Sequence, residues 1–320
     1  MLTSMDKRRL YIFIALAFGL AWAFGLIVAL TGGIADSPAI VSGSQITLAY
    51  VLIAIGYMGS PAVANILTRI MTREGWSTKG LRPNLKRGWK FWLAAWLLPP
   101  FITIFGATTF FLILPRYFDP GLGMISSMLE SQGVSLPMSP LLILIVQLIS
   151  GIFMAPLINS LFTFGEEFGW RGYLLPKLLP LGSRKAVMIS GVIWGFWHAP
   201  VIAMGHNYGL DYPFFPWTGI LLMTWFTILV GIFLAWVTLR AGSVWPAVIG
   251  HAVINGISGI GILASTGGSS TLLGPLPTGL LGGIGWLITA AIIFFSHKAL
   301  APAIENPMDN PAAQLSDNPT

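Results

Sequence analysis

Long apolar runs separated by short polar segments are the dominant pattern along these 320 residues. Runs near 20 residues are long enough to cross about 30 Å of hydrocarbon as helices, whereas an open sheet would leave its edge groups unpaired in lipid. The pattern therefore predicts an all-α fold, a polytopic membrane helix bundle with about eight transmembrane helices. The predicted spans are residues 10–30, 46–70, 89–114, 140–164, 186–204, 217–238, 244–265 and 278–297.

Composition agrees with a lipid-embedded chain. Hydrophobic residues make up 55% of the sequence and charged residues only 9%, while soluble domains carry about 25% charged residues. The thirteen tryptophans suit the headgroup level of a bilayer. Cysteine is absent, so the sequence offers no disulfide, no thiolate metal site and no cysteine nucleophile.

The placement of basic residues predicts the orientation. If the N-terminus is cytoplasmic, sixteen of the seventeen Lys and Arg residues fall on the cytoplasmic side, and only Arg116 falls outside. Cytoplasmic loops of membrane proteins carry such an excess of Lys and Arg. Both termini are therefore predicted to be cytoplasmic, which requires an even number of spans.

One membrane domain is predicted over residues 1–298, followed by a disordered cytoplasmic tail at 299–320 that is rich in Pro, Ala and Asn. The basic segment 69–90 is interpreted as a juxtamembrane region that contacts anionic lipid rather than nucleic acid. The sequence has no organelle address, so we predict a multi-pass protein of the cell membrane, most simply a prokaryotic plasma membrane.

Two adjacent acids are candidates for chemistry because ionisable groups at membrane depth are costly. Glu166 and Glu167 abut the fourth span, while most other acids lie in loops or tails. Glu167 and Arg171 are four residues apart, the spacing of a helical ion pair. Glu166 is rotated by about 100° onto another face without a local cationic partner, which suits a general base or acid.

Two of the four histidines lie inside predicted spans. His198 lies in the fifth span, and His251 shares one face of the seventh with Asn255, four residues later. His206 and His297 are interpreted as structural. A carboxylate, two histidines and an amide suit acyl transfer to water: the carboxylate takes a proton, a histidine orients the water, and the His/Asn pair binds the oxyanion. No G-x-S-x-G sequence supports a serine mechanism.

These residues resemble the CPBP family of CAAX-processing and bacteriocin-immunity-type intramembrane proteases. Its motifs are Glu-Glu-x-x-x-Arg, Phe-x-x-x-His and His-x-x-x-Asn (or Asp) on successive membrane helices. The first is matched by 166–171 and the third by 251–255, but the second departs, because Trp194 stands four residues before His198 where the family has Phe.

The resemblance implies a glutamate-type endopeptidase that needs no metal or other cofactor. Glu166 would activate water with help from His198, and His251 and Asn255 would stabilise the oxyanion. Glu167 and Arg171 would hold the site together. The implied partners are membrane lipids and a peptide or lipid-modified protein substrate, because the family includes enzymes that trim the last three residues from prenylated CAAX proteins.

Two alternatives remain open at the level of sequence. Two histidines and a carboxylate could bind Zn²⁺ as in a zinc-dependent membrane peptidase, although the sequence lacks H-E-x-x-H. Buried carboxylates and histidines also occur in proton relays, so a proton-coupled transporter, an immunity factor or a non-catalytic scaffold is the other alternative. The sequence shows no inverted repeat that would favour transport.

Overall fold

Helices account for the regular structure of the chain, as the hydrophobic pattern predicts. The computed structural model describes residues 2–41, 46–76, 79–131, 133 and 138–301. Within those ranges two isolated bridges, Ala39 with Thr47 and Phe118 with Ser265, are the only β pairings, and no strand forms. The predicted all-α membrane fold is confirmed.

The described part of the chain forms eleven α-helices, α1 to α11 in chain order. They are α1 Ser4–Leu30, α2 Leu48–Met71, α3 Leu85–Ile113, α4 Gly123–Ser131, α5 Pro140–Phe153, α6 Ala155–Leu181, α7 Ser183–Trp197, α8 Ala199–Ala203, α9 Trp217–Ala241, α10 Trp245–Leu263 and α11 Ile284–Phe295. Two of them contain a wider π-helical turn, Leu52–Tyr57 in α2 and Trp170–Leu174 in α6. Such turns recur at functional sites.

Several of these helices are long and apolar enough to cross a membrane. Among the described residues they are α1, α2, α3, α9 and α10, or six spans if the bent pair α5–α6 counts as one. The predicted fifth span is divided between α7 and α8, and the predicted eighth is the 12-residue α11. These two are shorter than the roughly 20 residues of a full span, so the number eight stays a prediction. The chain is a multi-pass membrane protein.

The bend between α5 and α6 has a sequence cause. The two helices meet at 47° around Met154, and Pro156 follows at the start of α6. Proline has no N–H to bond the carbonyl four residues earlier, which is that of Ile152. The indole N–H of Trp96 on α3 donates to this carbonyl at 2.7 Å, so the freed oxygen keeps a partner.

Helix α9 forms the centre of the bundle. It is apolar on all faces, and most of its residues are buried against α3, α7, α10 and α11. Helix α6 packs between α2 and α10, and α1 covers α2. This arrangement sets α6, α7 and α10, the helices with the candidate site residues, around one interior region.

One end of the bundle carries a charged cluster formed by Asp6, Arg9, Arg69, Glu74 and Lys177. Lys177 lies 2.7 Å from the Glu74 carboxylate and 3.5 Å from that of Asp6, and Arg9 lies 3.2 Å from Glu74. Burial raises the pKa of Glu74, but hydrogen bonds from Lys177 and Tyr173 and the nearby cations lower it below its usual value. The cluster joins α1, the end of α2 and α6.

The opposite end of the bundle joins the segments after α3 and α10. The backbone N–H of Asp119 donates to the carbonyl of Ala264 at 3.0 Å, and that of Thr266 donates to Tyr117 at 3.0 Å. Arg116, the cation predicted to lie outside, is at this end. Of the predicted tail 299–320, residues 302–320 lie outside the described residues, so its disorder and the domain boundary stay predictions.

Candidate active site

Helix α6 brings its two acids into the interior through a close approach to α2. Gly165 and Gly169 face α2, and a Cβ atom at Gly165 would lie 2.7 Å from the carbonyl oxygen of Met58. Small residues at this spacing let helix backbones approach closely in a membrane. Glu166 and Glu167 lie between the two glycines and are both buried, at 3% and 0% exposure.

Glu167 is the centre of a buried ionic network. Its Oε1 atom accepts a hydrogen bond from the guanidinium of Arg171 at 2.8 Å, one helical turn along α6. The same oxygen lies 2.9 Å from Nδ1 of His251 on α10. A carboxylate can only accept, so Nδ1 of His251 carries the hydrogen. Glu167 therefore fixes the orientation of the His251 ring and, with Arg171, ties α6 to α10.

Glu166 has a different partner. Its Oε2 atom accepts a hydrogen bond from the indole N–H of Trp194 on α7 at 2.7 Å. The guanidinium carbon of Arg171 lies 4.3 Å from the centroid of the Trp194 ring. The Trp194 and His251 rings meet edge-on, with their centroids 5.3 Å apart. Trp194 is thus packed in the middle of the candidate site residues.

His198 is positioned by the end of α7. The predicted span 186–204 places it well inside a helix, but α7 ends at Trp197, and His198 follows as its cap. Pro200, two residues later, cannot continue a regular hydrogen-bond ladder. Side chains of Tyr57 and Trp22 donate to the carbonyl of Trp197. The imidazole Nδ1 of His198 lies 2.8 Å from the carbonyl oxygen of Trp194, so this nitrogen also carries a hydrogen.

The four residues predicted to carry the chemistry line one cavity of about 260 Å³. They are Glu166, His198, His251 and Asn255. Asn255 lies four residues after His251 on α10, and its side chain is exposed in the cavity, whereas His251 is buried. The supporting residues Glu167 and Arg171 contact each other, and Glu167 also contacts His251.

A second cavity of about 430 Å³ adjoins the first. The two share Ile53, Met58, His206 and Asn255 in their walls, and the second is otherwise mostly apolar. His206, interpreted from sequence as structural, therefore lies where the two cavities meet. Its loop position gave no signal for this.

The contact made by Trp194 was not predicted from the sequence. In the sequence this position was only a departure from the second motif, while the structure shows a hydrogen bond to Glu166. Tyr57, which lines the same cavity from the π-helical turn of α2, was missed as well. A contact between residues on distant helices produces no local sequence spacing from which it could be predicted.

The zinc alternative requires three donor side chains close together. Among the described residues, no three side chains of His, Asp, Glu or Cys are arranged to hold a metal ion. Glu167 and His251 are in contact, but they are engaged with each other and with Arg171. The geometry therefore does not favour this alternative.

A relative of similar sequence is a CAAX prenyl protease 2 from Methanococcus maripaludis. It is 34% identical to the chain over 139 residues, which are 42% of this chain and 46% of the relative. The chain thus matches a little less than half the length of this curated relative.

The match to a protein family coincides with the candidate site. Residues 140–257 match the family described as Type II CAAX prenyl endopeptidase Rce1-like. This range begins with α5 and contains all six predicted site residues, from Glu166 to Asn255. The family resemblance predicted from the three motifs is confirmed. Over residues 140–257, a little more than a third of its length, the chain is similar to the Rce1-like family of CAAX prenyl endopeptidases.

Proposed function

We propose that the chain is an intramembrane endopeptidase that cleaves prenylated CAAX-type C-termini with water activated by Glu166. The observation that carries this proposal is the shared cavity, whose wall holds Glu166, His198, His251 and Asn255. The family match and the archaeal relative, both described by prenyl endopeptidase or protease activity, support the substrate class.

Glu166 and His198 share the activation of water in this mechanism. Nδ1 of His198 donates to the Trp194 carbonyl, so Nε2 of the neutral imidazole keeps a lone pair. That nitrogen accepts one hydrogen bond from the water. Glu166 takes a proton from the same water as its oxygen attacks the scissile carbonyl carbon.

The oxyanion of the tetrahedral intermediate is bound by His251 and Asn255. Nδ1 of His251 donates to Glu167, so its Nε2 can donate to the oxyanion only in the imidazolium form. The amide of Asn255 adds an uncharged donor in the same cavity.

Collapse of the intermediate completes the reaction. The carbon–nitrogen bond breaks, and Glu166 gives its proton to the departing amine nitrogen while the carbonyl re-forms. Water has then been added across the peptide bond, with one new carboxylic acid and one new amine. Glu166 returns to its ionised state.

The test is Glu166→Gln in the full chain, purified in detergent and assayed with a quenched prenylated CAAX peptide. Amide replacement keeps the shape but removes the base, so cleavage is expected to fall by about a hundredfold to ten-thousandfold. The melting temperature should stay close to that of the wild type. Glu130→Gln, at an exposed acid of α4, is the matched control and should retain full activity.

Two further arms of the experiment separate the alternatives. Cleavage that survives 1,10-phenanthroline argues against zinc, and cleavage of the prenylated peptide but not its unprenylated form supports the substrate class. Undiminished turnover by Glu166→Gln would remove Glu166 as the base. A wild-type protein that cleaves neither peptide would contradict the proposal and favour a non-catalytic or transport role.

A further inference from the structure

Trp194 lies between Glu166 and His198 in the wall of the cavity. The side chain is 3% exposed and lines the cavity. It makes polar contacts on both sides: the indole N–H donates to Glu166, and the backbone carbonyl accepts from Nδ1 of His198. A single residue thus contacts both members of the proposed water-activating pair.

The hydrogen bond from Trp194 has features of a strong one. Its N–O separation of 2.7 Å lies at the short end of the range for hydrogen bonds to charged groups. The indole nitrogen can only donate, so it offers the carboxylate a fixed N–H and no competing acceptor. The indole N–H therefore fixes the position of Oε2 of Glu166.

A phenylalanine at this position could reproduce the packing but not the hydrogen bond. The contacts with the Arg171 guanidinium and the His251 ring use the aromatic face and edge, which a phenyl ring also has. Only the N–H reaches Glu166. The indole N–H therefore adds a polar contact with Glu166 that the packing of the ring does not require.

We infer that Trp194 is a positioning residue that orients Glu166 and stabilises its ionised form through the indole N–H. This inference rests on the proposed function in one respect, since it assigns the role of general base to Glu166. The contact itself can be tested without any cleavage.

The inference makes a specific claim about pH. A hydrogen bond to the ionised carboxylate favours that form, so its loss makes the base ionise only at higher pH. The other titratable and charged groups around Glu166 are Glu167 and Arg171 on its own helix, Tyr57 on α2, His198 and His206 near the cavity, and His251 on α10. These groups are the same in a variant of Trp194, so the comparison isolates the N–H.

The experiment compares Trp194→Phe with the wild type in the full detergent-solubilised chain. We expect kcat/KM at neutral pH to fall about tenfold to a hundredfold, mainly through kcat. The acidic limb of the pH–rate profile should move up by about one to two pH units. The control is Trp286→Phe, which removes an indole N–H from a fully buried position packed on Phe233, away from the cavity. It should leave the acidic limb where it is.

A second variant and a second measurement cover misfolding and inactivity. Incorporation of 3-benzothienylalanine at position 194 keeps the indole shape and replaces the N–H by sulfur. It should move the acidic limb of the pH–rate profile to higher pH, as Trp194→Phe does. Infrared difference spectroscopy, with the carboxylic acid band assigned by Glu166→Gln, follows ionisation of Glu166 directly. If both Trp194 variants leave the ionisation midpoint of Glu166 at its wild-type pH, the inference is overturned. A shifted midpoint in a protein that cleaves no peptide supports the contact while contradicting the proposed function.

Discussion

Glu167 has no exposed surface, and one of its oxygens contacts both Arg171 and His251. Taking a charge out of water costs several kcal/mol, and partners in a low-dielectric interior offset that cost only when the geometry is good. Here the guanidinium both binds the carboxylate and lies over the Trp194 ring. Arg171 is therefore expected to be a stability determinant as well as a support for the site.

Replacing Arg171 with alanine should leave the Glu167 carboxylate buried beside a single imidazole. Loss of one partner from a buried pair costs roughly 3–5 kcal/mol, so the thermal unfolding midpoint should drop clearly. Arg8→Ala, at an exposed cation of α1, provides the comparison and should melt with the wild type. If Arg171→Ala were as stable as Arg8→Ala, the network around Glu167 would not be a stabilising feature.

Sequence reasoning succeeded at this scale where partners share one helix. The spacing of Glu167 and Arg171 predicted an ion pair, and the structure shows it at 2.8 Å. The contacts of Glu166 with Trp194 and of Glu167 with His251 join residues 28 and 84 positions apart. No local periodicity encodes such contacts, because they depend on how three helices pack.

At the scale of the elements, two helices of the site carry paired glycines. Gly165 and Gly169 on α6 face α2, while Gly191 and Gly195 on α7 face α9. A Cβ atom at Gly191 would lie 2.7 Å from Cα of Ile228. Each pair has the small-xxx-small spacing that favours helix association in lipid. These two glycine pairs set the positions of α6 against α2 and of α7 against α9, the helices that carry Glu166 and Trp194.

Gly165→Ala should therefore disturb both packing and activity. The new methyl group would meet the backbone of α2 at Met58 and Gly59, which cannot rotate away as a side chain can. Overpacking of this kind typically costs about 1–3 kcal/mol, and the displacement falls next to Glu166. We expect a lower melting temperature and weaker peptide cleavage.

Gly172→Ala is the matched control for Gly165→Ala on the same helix. Its Cβ would lie 3.3 Å from the ring of Phe168, a side chain that can move, and alanine has the higher helix propensity by up to about 1 kcal/mol. The variant should be neutral or slightly stabilised. If the melting temperature and the cleavage rate fell equally in the two variants, the close approach of α6 to α2 would not be what makes Gly165 important.

The helices themselves were predictable to different degrees. Long uninterrupted apolar runs such as α1, α3 and α9 were predicted to within several residues at each end. The end of α7 before His198 and the bend at Met154 were not predicted, although Pro200 and Pro156 lie close by. Proline is tolerated in membrane helices when neighbours supply hydrogen bonds, so its effect cannot be read from one helix alone.

Charged side chains are distributed unevenly between the two ends of the helix bundle. The charged cluster of α1, α2 and α6 is at one end, and Arg116 with the segments after α3 and α10 is at the other. Three of the segments that the sequence assigned to the cytoplasm thus meet in space. Tyr173, whose hydroxyl donates to Glu74 at 2.9 Å, lies seven residues after Glu166 on α6, about 10 Å along the helix. The proposed site would then lie in the cytoplasmic half of the bilayer.

The absence of cysteine makes this orientation directly testable, because single cysteines can be introduced without a background. Ser4 and Ser296 are exposed near the charged end, and Ser270 is exposed at the opposite end. With both termini cytoplasmic, a membrane-impermeant maleimide should label Ser270→Cys in intact cells. It should label Ser4→Cys and Ser296→Cys only after the membrane is opened.

The other labelling patterns have distinct meanings. Labelling of Ser4→Cys and Ser296→Cys from outside, with Ser270→Cys protected, would show the opposite orientation in the membrane. Glu166 would then lie in the outer half of the bilayer. Labelling of only one terminal position from outside would require an odd number of spans, and the predicted eight would then be wrong. A prenylated C-terminus made in the cytoplasm can reach Glu166 at the proposed depth only in the predicted orientation. The labelling pattern therefore also constrains the substrate class.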